Sequence, residues 1–200
     1  MEFTGERFIP GEGGAAIAYE HLHRYLFALN WAEGARVVDV ASGEGYGAAL
    51  LAGTARLVCG IELDPLALAS ARRSYNLPGL AFVRADAARL PIADCSADLA
   101  VAFEVLEHLP AESQQVLVRE LARIVAPEGV VLVSTPDKAA YSDARNYVNP
   151  FHTREFYRAE FQALMTAHFG FVRLYSQQVR AGSLIMSEEA PRGASGEVWT

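Results

Sequence analysis

The chain predicts an α/β fold, a parallel sheet with helices on both faces, from two observations. Short apolar runs that read as strands alternate with segments of helical periodicity, joined by short connections. That alternation builds strand–helix–strand crossovers. The first of these strands, ARVVDV, ends in a glycine-rich turn, ASGEGYG, that opens a helix. In open sheets of this class, ligands bind beyond the carboxyl ends of the strands.

Each element follows from its own residues. Residues 1–14 carry glycine and proline and read as an extended arm. Residues 15–30 are helical, with Ile17, Leu22, Tyr25, Leu26 and Leu29 at helical spacing. After the first strand, YGAALLAG is a short helix closed by Gly53 and RLVCGIELD is a strand. Pro65 suits the first turn of the helix PLALASARRSYN. LAFVRADA and ADLAVAF are strands, and SQQVLVRELARIV is an amphipathic helix with Ser113 as N-cap. GVVLVSTP is a strand that Pro136 stops, and residues 137–150 form a polar loop. TREFYRAEFQALMTAHF is a helix with Tyr157, Phe161, Leu164, Met165 and His168 on one face. FVRLYSQQV is a strand, GSLIM a last one, and no internal repeat is visible. The tail EEAPRGASGEVWT is small and polar and reads as a linker or the cut edge of a longer chain.

The bulk numbers narrow the function. A length of 200 residues suits one domain, and 52% hydrophobic content argues against disorder. The net charge of −7 and pI of about 5.2 argue against nucleic acid as a partner, because phosphate contacts supply most of such affinity. Cys59 and Cys95 sit beside apolar runs without CxxC spacing, which predicts buried free thiols in a reducing cytoplasm. The N-terminus lacks a basic segment followed by an apolar one, and no apolar run approaches the ~18 residues that span a bilayer. A cytoplasmic chain with no membrane segment is the expectation.

Gly43, Gly45 and Ala48 satisfy the pattern GxGxxG/A, a weak match by itself. An ordinary strand-to-helix turn would use Gly43, Gly45 and Gly47 equally well. The acids around it carry more weight. Asp39 lies inside the strand, four residues before Gly43. Glu62 ends the second strand, where a carboxylate can accept both hydroxyls of a ribose. Asp86 ends the third, placed either to meet an adenine amino group or to cap the segment after it.

This ordered series resembles the class I S-adenosylmethionine-dependent methyltransferases, whose pattern is DxGxGxG, then an acid, then an acid beside a small residue. Ala41 stands here for the first glycine. The resemblance implies a Rossmann-like fold with a mostly parallel seven-stranded sheet, its last strand antiparallel. It implies S-adenosyl-L-methionine as cofactor, held by Asp39, Ala41, Gly43, Gly45, Glu62, Leu63, Asp86, Ala87 and Glu104. TGERFIPG, YEHLHRY, FEVLEHL, STPD, NPFHTREF and GSLI are similar to a bacterial group of these enzymes encoded with, or fused to, glycosyltransferases of surface-polysaccharide assembly. A sugar or glycan acceptor, and a fused or associated glycosyltransferase as partner, are what that likeness implies. The organisation is then an arm and lid helix over residues 1–30, a methyltransferase domain over 31–187, and a polar tail over 188–200.

The stretch FEVLEHLP sets Glu104, Glu107 and His108 at a strand terminus. If the chain turns helical from Glu104, the other two lie at i+3 and i+4 with Cβ atoms ~5–6 Å away, close enough to share a cation. E-x-x-E-H is similar to a motif of the 3′-terminal RNA ribose 2′-O-methyltransferases and the ubiquinone-pathway O-methyltransferases. In the RNA enzymes it binds a divalent ion together with a histidine from a later loop. Carried over, Glu104, Glu107, His108 and His152 would hold Mg²⁺ or Mn²⁺, which suit mixed oxygen and nitrogen ligands, and a vicinal diol of the acceptor would complete the site. Without a metal, His108 or His152 is the candidate catalytic base, and the Glu and His of this stretch cap a helix or position the cofactor.

Other polar residues carry less. His21 and His23 are two apart and point to different sides of a helix. Tyr19, His23 or Arg24 could cover the cofactor or touch the acceptor, and the same holds for Arg7. His168 shares an apolar stripe and is expected to pack. Three alternatives stay open: a small-molecule or terminal-ribose O-methyltransferase, a dinucleotide-dependent oxidoreductase, and a non-catalytic S-adenosylmethionine-binding domain that supports a glycosyltransferase.

Overall fold

The computed structural model of the chain describes residues 15–179 and 183–187. The arm with Arg7 and the tail 188–200 lie outside them. The elements are α1 (Ala15–Ala28), β1 (Arg36–Val40), α2 (Tyr46–Leu51), β2 (Leu57–Glu62), α3 (Pro65–Ser74), β3 (Leu80–Arg84), β4 (Ala97–Phe103), α4 (Ala111–Ile124), β5 (Val125–Ser134), α5 (Arg158–Thr166), β6 (Tyr175–Val179) and β7 (Ser183–Ser187). The first five strands form one parallel sheet in the order β3-β2-β1-β4-β5. The order reverses beside β1, so the turn after β1 opens at a switch point, where α/β sheets bind ligands.

The expected seven-stranded sheet is corrected here. All seven strands form, but β6 and β7 make a separate antiparallel pair, with Val179 opposite Ser183. Three residues separate the two strands, so their pairing is local and costs little loop entropy. The pair lies against α1, where Gln177 Nε2 donates to the Glu20 carbonyl at 3.1 Å and the rings of Phe27 and Tyr175 meet edge-on at 5.2 Å.

Period-two alternation feeds two cores. Val38, Val40, Ala100 and Ala102 pack with Leu117, Leu121 and Ile124 of α4 and Leu164 and Met165 of α5. On the other face Val37, Val58, Leu99 and Val101 pack with Tyr25, Ala28, Leu51, Leu68 and Ala71 of α1, α2 and α3. Asp64 caps α3, accepting from Leu66 N at 2.7 Å, with Pro65 in the first turn as its fixed φ favours.

Local differences from expectation have local causes. α4 begins at Ala111, because the Pro110 carbonyl accepts from Gln114 N at 3.0 Å, which puts Ser113 inside the first turn and not at the cap. α1 buries Tyr25 and Ala28 and leaves Ile17, Leu22 and Leu26 exposed, so its inner stripe is narrower than the apolar spacing suggests. Residues 137–150 contain one wide helical turn, Ala139–Asp143. Both cysteines are free, but Cys59 is half-buried and Cys95 exposed.

Gly47, in α2, has the Tyr25 ring against it; a Cβ there would lie 2.0 Å from the ring. Gly47→Ala should therefore displace the ring and destabilise the fold by about 1–3 kcal/mol, read as a lowered midpoint of urea unfolding.

Candidate functional site

The glycine turn is held open by strained and bonded backbone. Ala41, Gly43 and Gly45 all have left-handed φ, at 59°, 53° and 81°. For Ala41 this conformation costs about 1–2 kcal/mol, a strain that glycine would not carry. Gly45 has a second reason to be glycine, since a Cβ there would lie 2.7 Å from the Phe82 ring. Glu62 closes the turn: its two oxygens accept from Gly43 N and Asp64 N, each at 2.8 Å. A carboxylate offers about four lone-pair sites, so this clamp leaves capacity for the hydroxyls of a ribose. Leu63, next to it, is exposed and offers an apolar surface beside that carboxylate. Asp86 accepts from Ala88 N at 2.8 Å through one oxygen, so it does cap the segment after β3. Ala87 is half-buried next to it.

Asp39 has a different place from its neighbours in the motif. It is fully buried, and Tyr25 Oη donates to both its oxygens at 3.1 and 3.3 Å. Burial raises its carboxyl to about 7, the Tyr25 bond works against this, and the charge of Glu62 adds to it. Asp39 thus ties α1 to the central strand beneath the turn.

At the carboxyl ends of β4 and β5 the polar stretch 104–108 does not form the α-helix expected from Glu104. Glu104 takes a left-handed φ of 53°, and the chain then makes one 3-10 turn, Leu106–His108. The turn separates the two acids. Glu104 accepts from Ser134 Oγ at 2.6 Å and pairs with Arg24 at 3.4 Å. Glu107 is buried and accepts from Thr135 Oγ1 at 2.9 Å. Burial, and then the charge of Glu104, push the Glu107 carboxyl up to about 8.

His152 joins Glu107 and His108. One ligand atom from each of the three lies within 4.8 Å of the others, and Glu104 is not part of this group. The His108 and His152 rings meet edge-on at 5.1 Å. His108 Nδ1 lies 3.1 Å from the Phe151 carbonyl, and His152 Nδ1 lies 2.6 Å from Glu155 Oε1. Both partners are acceptors, so each Nδ1 carries the proton and each Nε2 the lone pair, the arrangement in which imidazoles ligate metals. In the metal-free form, Asn149 Nδ2 donates to His152 Nε2 at 3.0 Å.

The two segments that supply these ligands are bonded together. The Glu107 carbonyl accepts from Thr153 N at 2.7 Å and Arg154 N at 3.2 Å, and Thr153 Oγ1 donates to the His108 carbonyl at 3.1 Å. Gln114, wholly buried, donates through Nε2 to the carbonyls of Leu106 and Arg154, both at 2.9 Å. No role was expected of Gln114, nor of Ser134, Thr135 and Glu155, although these three lie in the quoted stretches STPD and NPFHTREF. The polar Gln114 on the inner stripe of α4 was a visible sign of a structural role.

His21 and His23 do not join this group. His21 Nδ1 lies 3.1 Å from Tyr46 Oη, and burial followed by the charge of Arg24 lowers its pKa to about 4. His168 lies on α5's C-terminal side, half-buried, its N–H bonded to the Met165 carbonyl at 3.1 Å.

Together the switch-point turn, the acid at the end of β2 and the exposed leucine beside it define a Rossmann-like domain built for a nucleoside-containing cofactor. A family profile described as "Methyltransferase domain" matches residues 38–133. A probable S-adenosylmethionine-dependent methyltransferase of Mycolicibacterium smegmatis is 39% identical over 84% of this chain, which spans 65% of that protein's length. Another, from Mycobacterium tuberculosis, is 36% identical over 100% of this chain and 76% of its own. A fatty-acid O-methyltransferase of M. smegmatis is 32% identical over 80% of this chain and 56% of its own. Among solved structures, the YcgJ protein of Bacillus subtilis matches with a TM-score of 0.65 at 22% identity, over 78% of this chain and 70% of that one. The chain belongs to the S-adenosylmethionine-dependent methyltransferases, and S-adenosyl-L-methionine is its cofactor.

Two expected outcomes follow from this geometry. Asp39 binds its proton more tightly folded than unfolded, so its contribution to stability is complete below its unfolded pKa of about 4. It is lost as pH rises through about 7. The melting temperature should fall from pH 5 to pH 8, and Asp39→Asn, which keeps an acceptor for Tyr25, should flatten that fall. Gln114→Leu strands two carbonyls and should cost about 1–3 kcal/mol in chemical denaturation.

Proposed function

We propose that this chain transfers the methyl group of S-adenosylmethionine to a hydroxyl of a sugar or glycan that carries neighbouring hydroxyls, with Mg²⁺ or Mn²⁺ held by Glu107, His108 and His152. The observation that carries this reading is the convergence of those three donors within 4.8 Å, one strand away from the cofactor turn. A carboxylate with two imidazoles is a donor set that fits such an ion. When bound, the ion would supply positive charge that favours ionisation of an acceptor hydroxyl.

The chain's own residues do the positioning. Glu155 and the Phe151 carbonyl hold the imidazoles in the tautomer described above, and Thr135 orients Glu107. Glu62 and the glycine turn fix the cofactor end, so that the acceptor oxygen can lie in line behind the methyl group, as displacement at carbon requires. If no ion takes part, His108 or His152 is placed to accept the hydroxyl proton. A glycosyltransferase acting on the same glycan is the partner this reading implies, in the cytoplasm. No helix of the described residues is long and apolar enough to cross a membrane. A second reading, a lipid or fatty-acid acceptor, draws on the similarity to the fatty-acid O-methyltransferase.

Titration of Mn²⁺ into the protein with S-adenosylhomocysteine bound tests the metal directly. One ion per chain is expected, with binding lost in His152→Ala while S-adenosylhomocysteine affinity is kept. Methyl transfer to vicinal-diol sugars should fall at least tenfold in the same variant, and deoxy analogues that lack one hydroxyl should be poor acceptors. No Mn²⁺ binding by the wild type would remove the ion and leave His108 or His152 as a simple base.

A further inference from the structure

A cleft of about 790 Å³ runs along β5 on its outer side, and nothing in the reading above uses it. Its walls include Val131 and Val133 of β5, Phe27 and Trp31 from the N-terminal helical segment, and Phe169 and Phe171 after α5. Lining residues run from Val125 to Ser134 of β5 with the exception of Glu128. Val130–Ser134 run in continuous register beside Leu99–Phe103 and span roughly 17 Å of strand, so the cleft is elongated as well as apolar. Phe171, 75% exposed, stands at this surface without being buried by the described chain.

One end of the cleft meets the site. Ser134 and Arg24 are lining residues, and these two side chains hold Glu104. Among the described residues, Arg24 Nη1 is buried and has no hydrogen-bond partner. A buried guanidinium N–H without an acceptor is costly, and a ligand oxygen would relieve it. The paired charges of Arg24 and Glu104 give that end a donor and an acceptor with little net charge. A hydroxylated neutral group can satisfy both, whereas a carboxylate would meet Glu104.

We infer that the cleft along β5 binds an alkyl or prenyl chain attached to a neutral, hydroxylated head, so that the acceptor is a lipid-linked sugar. This deepens the acceptor assignment and rests on methyl transfer taking place at the carboxyl ends of β4 and β5. The chain lies along Val131 and Val133, and the head sits at Arg24 and Glu104, next to Glu107 and His152. The arrangement accounts for an apolar surface on the flank of an acidic domain, and for an arginine N–H left unpaired where that surface meets the site.

The test uses n-octyl, n-decyl and n-dodecyl glucosides, each below its micelle concentration, titrated into the full chain with S-adenosylhomocysteine bound. Affinity should rise about fourfold per methylene, with one molecule per chain. Val131→Trp, which fills the cleft, should abolish binding. Phe171→Ser, at an exposed position that cannot endanger the fold, should weaken every member of the series. Affinity independent of chain length, or a chain-length series unchanged in both variants while S-adenosylhomocysteine still binds, would overturn the inference. Equal affinity for n-alkanoates of the same length would overturn the neutral head. Each of these results is separate from the Mn²⁺ titration, so either proposal can fail while the other stands.

Discussion

The hydrogen bond from Tyr25 to the buried carboxyl of Asp39 is the contact on which the rest of the molecule depends. It is made inside the core, where neither group has water as an alternative partner, so losing it would leave a buried polar atom unpaired. It fixes α1 across the amino end of α2, with Gly47 bare because the Tyr25 ring occupies the space of its side chain. With α1 fixed, Arg24, the residue before Tyr25, meets Glu104, and His21 one turn earlier meets Tyr46. The β6–β7 pair then rests on the same helix. One side-chain contact therefore connects the glycine turn, the Arg24–Glu104 pair and the C-terminal strands.

A second set of contacts builds the group of Glu107, His108 and His152. The 3-10 turn after β4 and the loop before α5 are more than forty residues apart, and neither has regular structure of its own. Backbone bonds from Thr153 and Arg154 to the Glu107 carbonyl, and the two amide bonds of Gln114, join them into one rigid unit. The three candidate ligands sit on this unit. Their imidazole orientations are set by Phe151 and Glu155, residues that belong to it as well, so the protein's own contacts fix the arrangement of the three side chains.

Much of this was legible in the sequence because it is local. The five strands of the main sheet, their parallel order of connection and the start of α3 at Pro65 follow from apolar runs, helical spacing and the fixed φ of proline. The glycine turn with Glu62 was visible as a motif, and His152 could be named because the resemblance to the E-x-x-E-H methyltransferases implies a second histidine from a later loop. Glu104 was grouped with the ligands on the assumption of a helix. A left-handed residue at 104 breaks that spacing, and Ser134 and Arg24, distant in sequence, take its carboxylate.

The sequence by itself determined the layered α/β architecture, the glycine turn and the acids at the strand ends, since each rests on residues within a few positions of one another. Tertiary structure alone decided that β6 and β7 pair with each other and not with β5, that Asp39 is an internal anchor, that three donors and not four converge, and that an apolar cleft flanks β5. These depend on partners tens of residues away, and the energies that choose among such partners are packing, burial and the satisfaction of buried polar groups, which exist only once the chain has closed on itself.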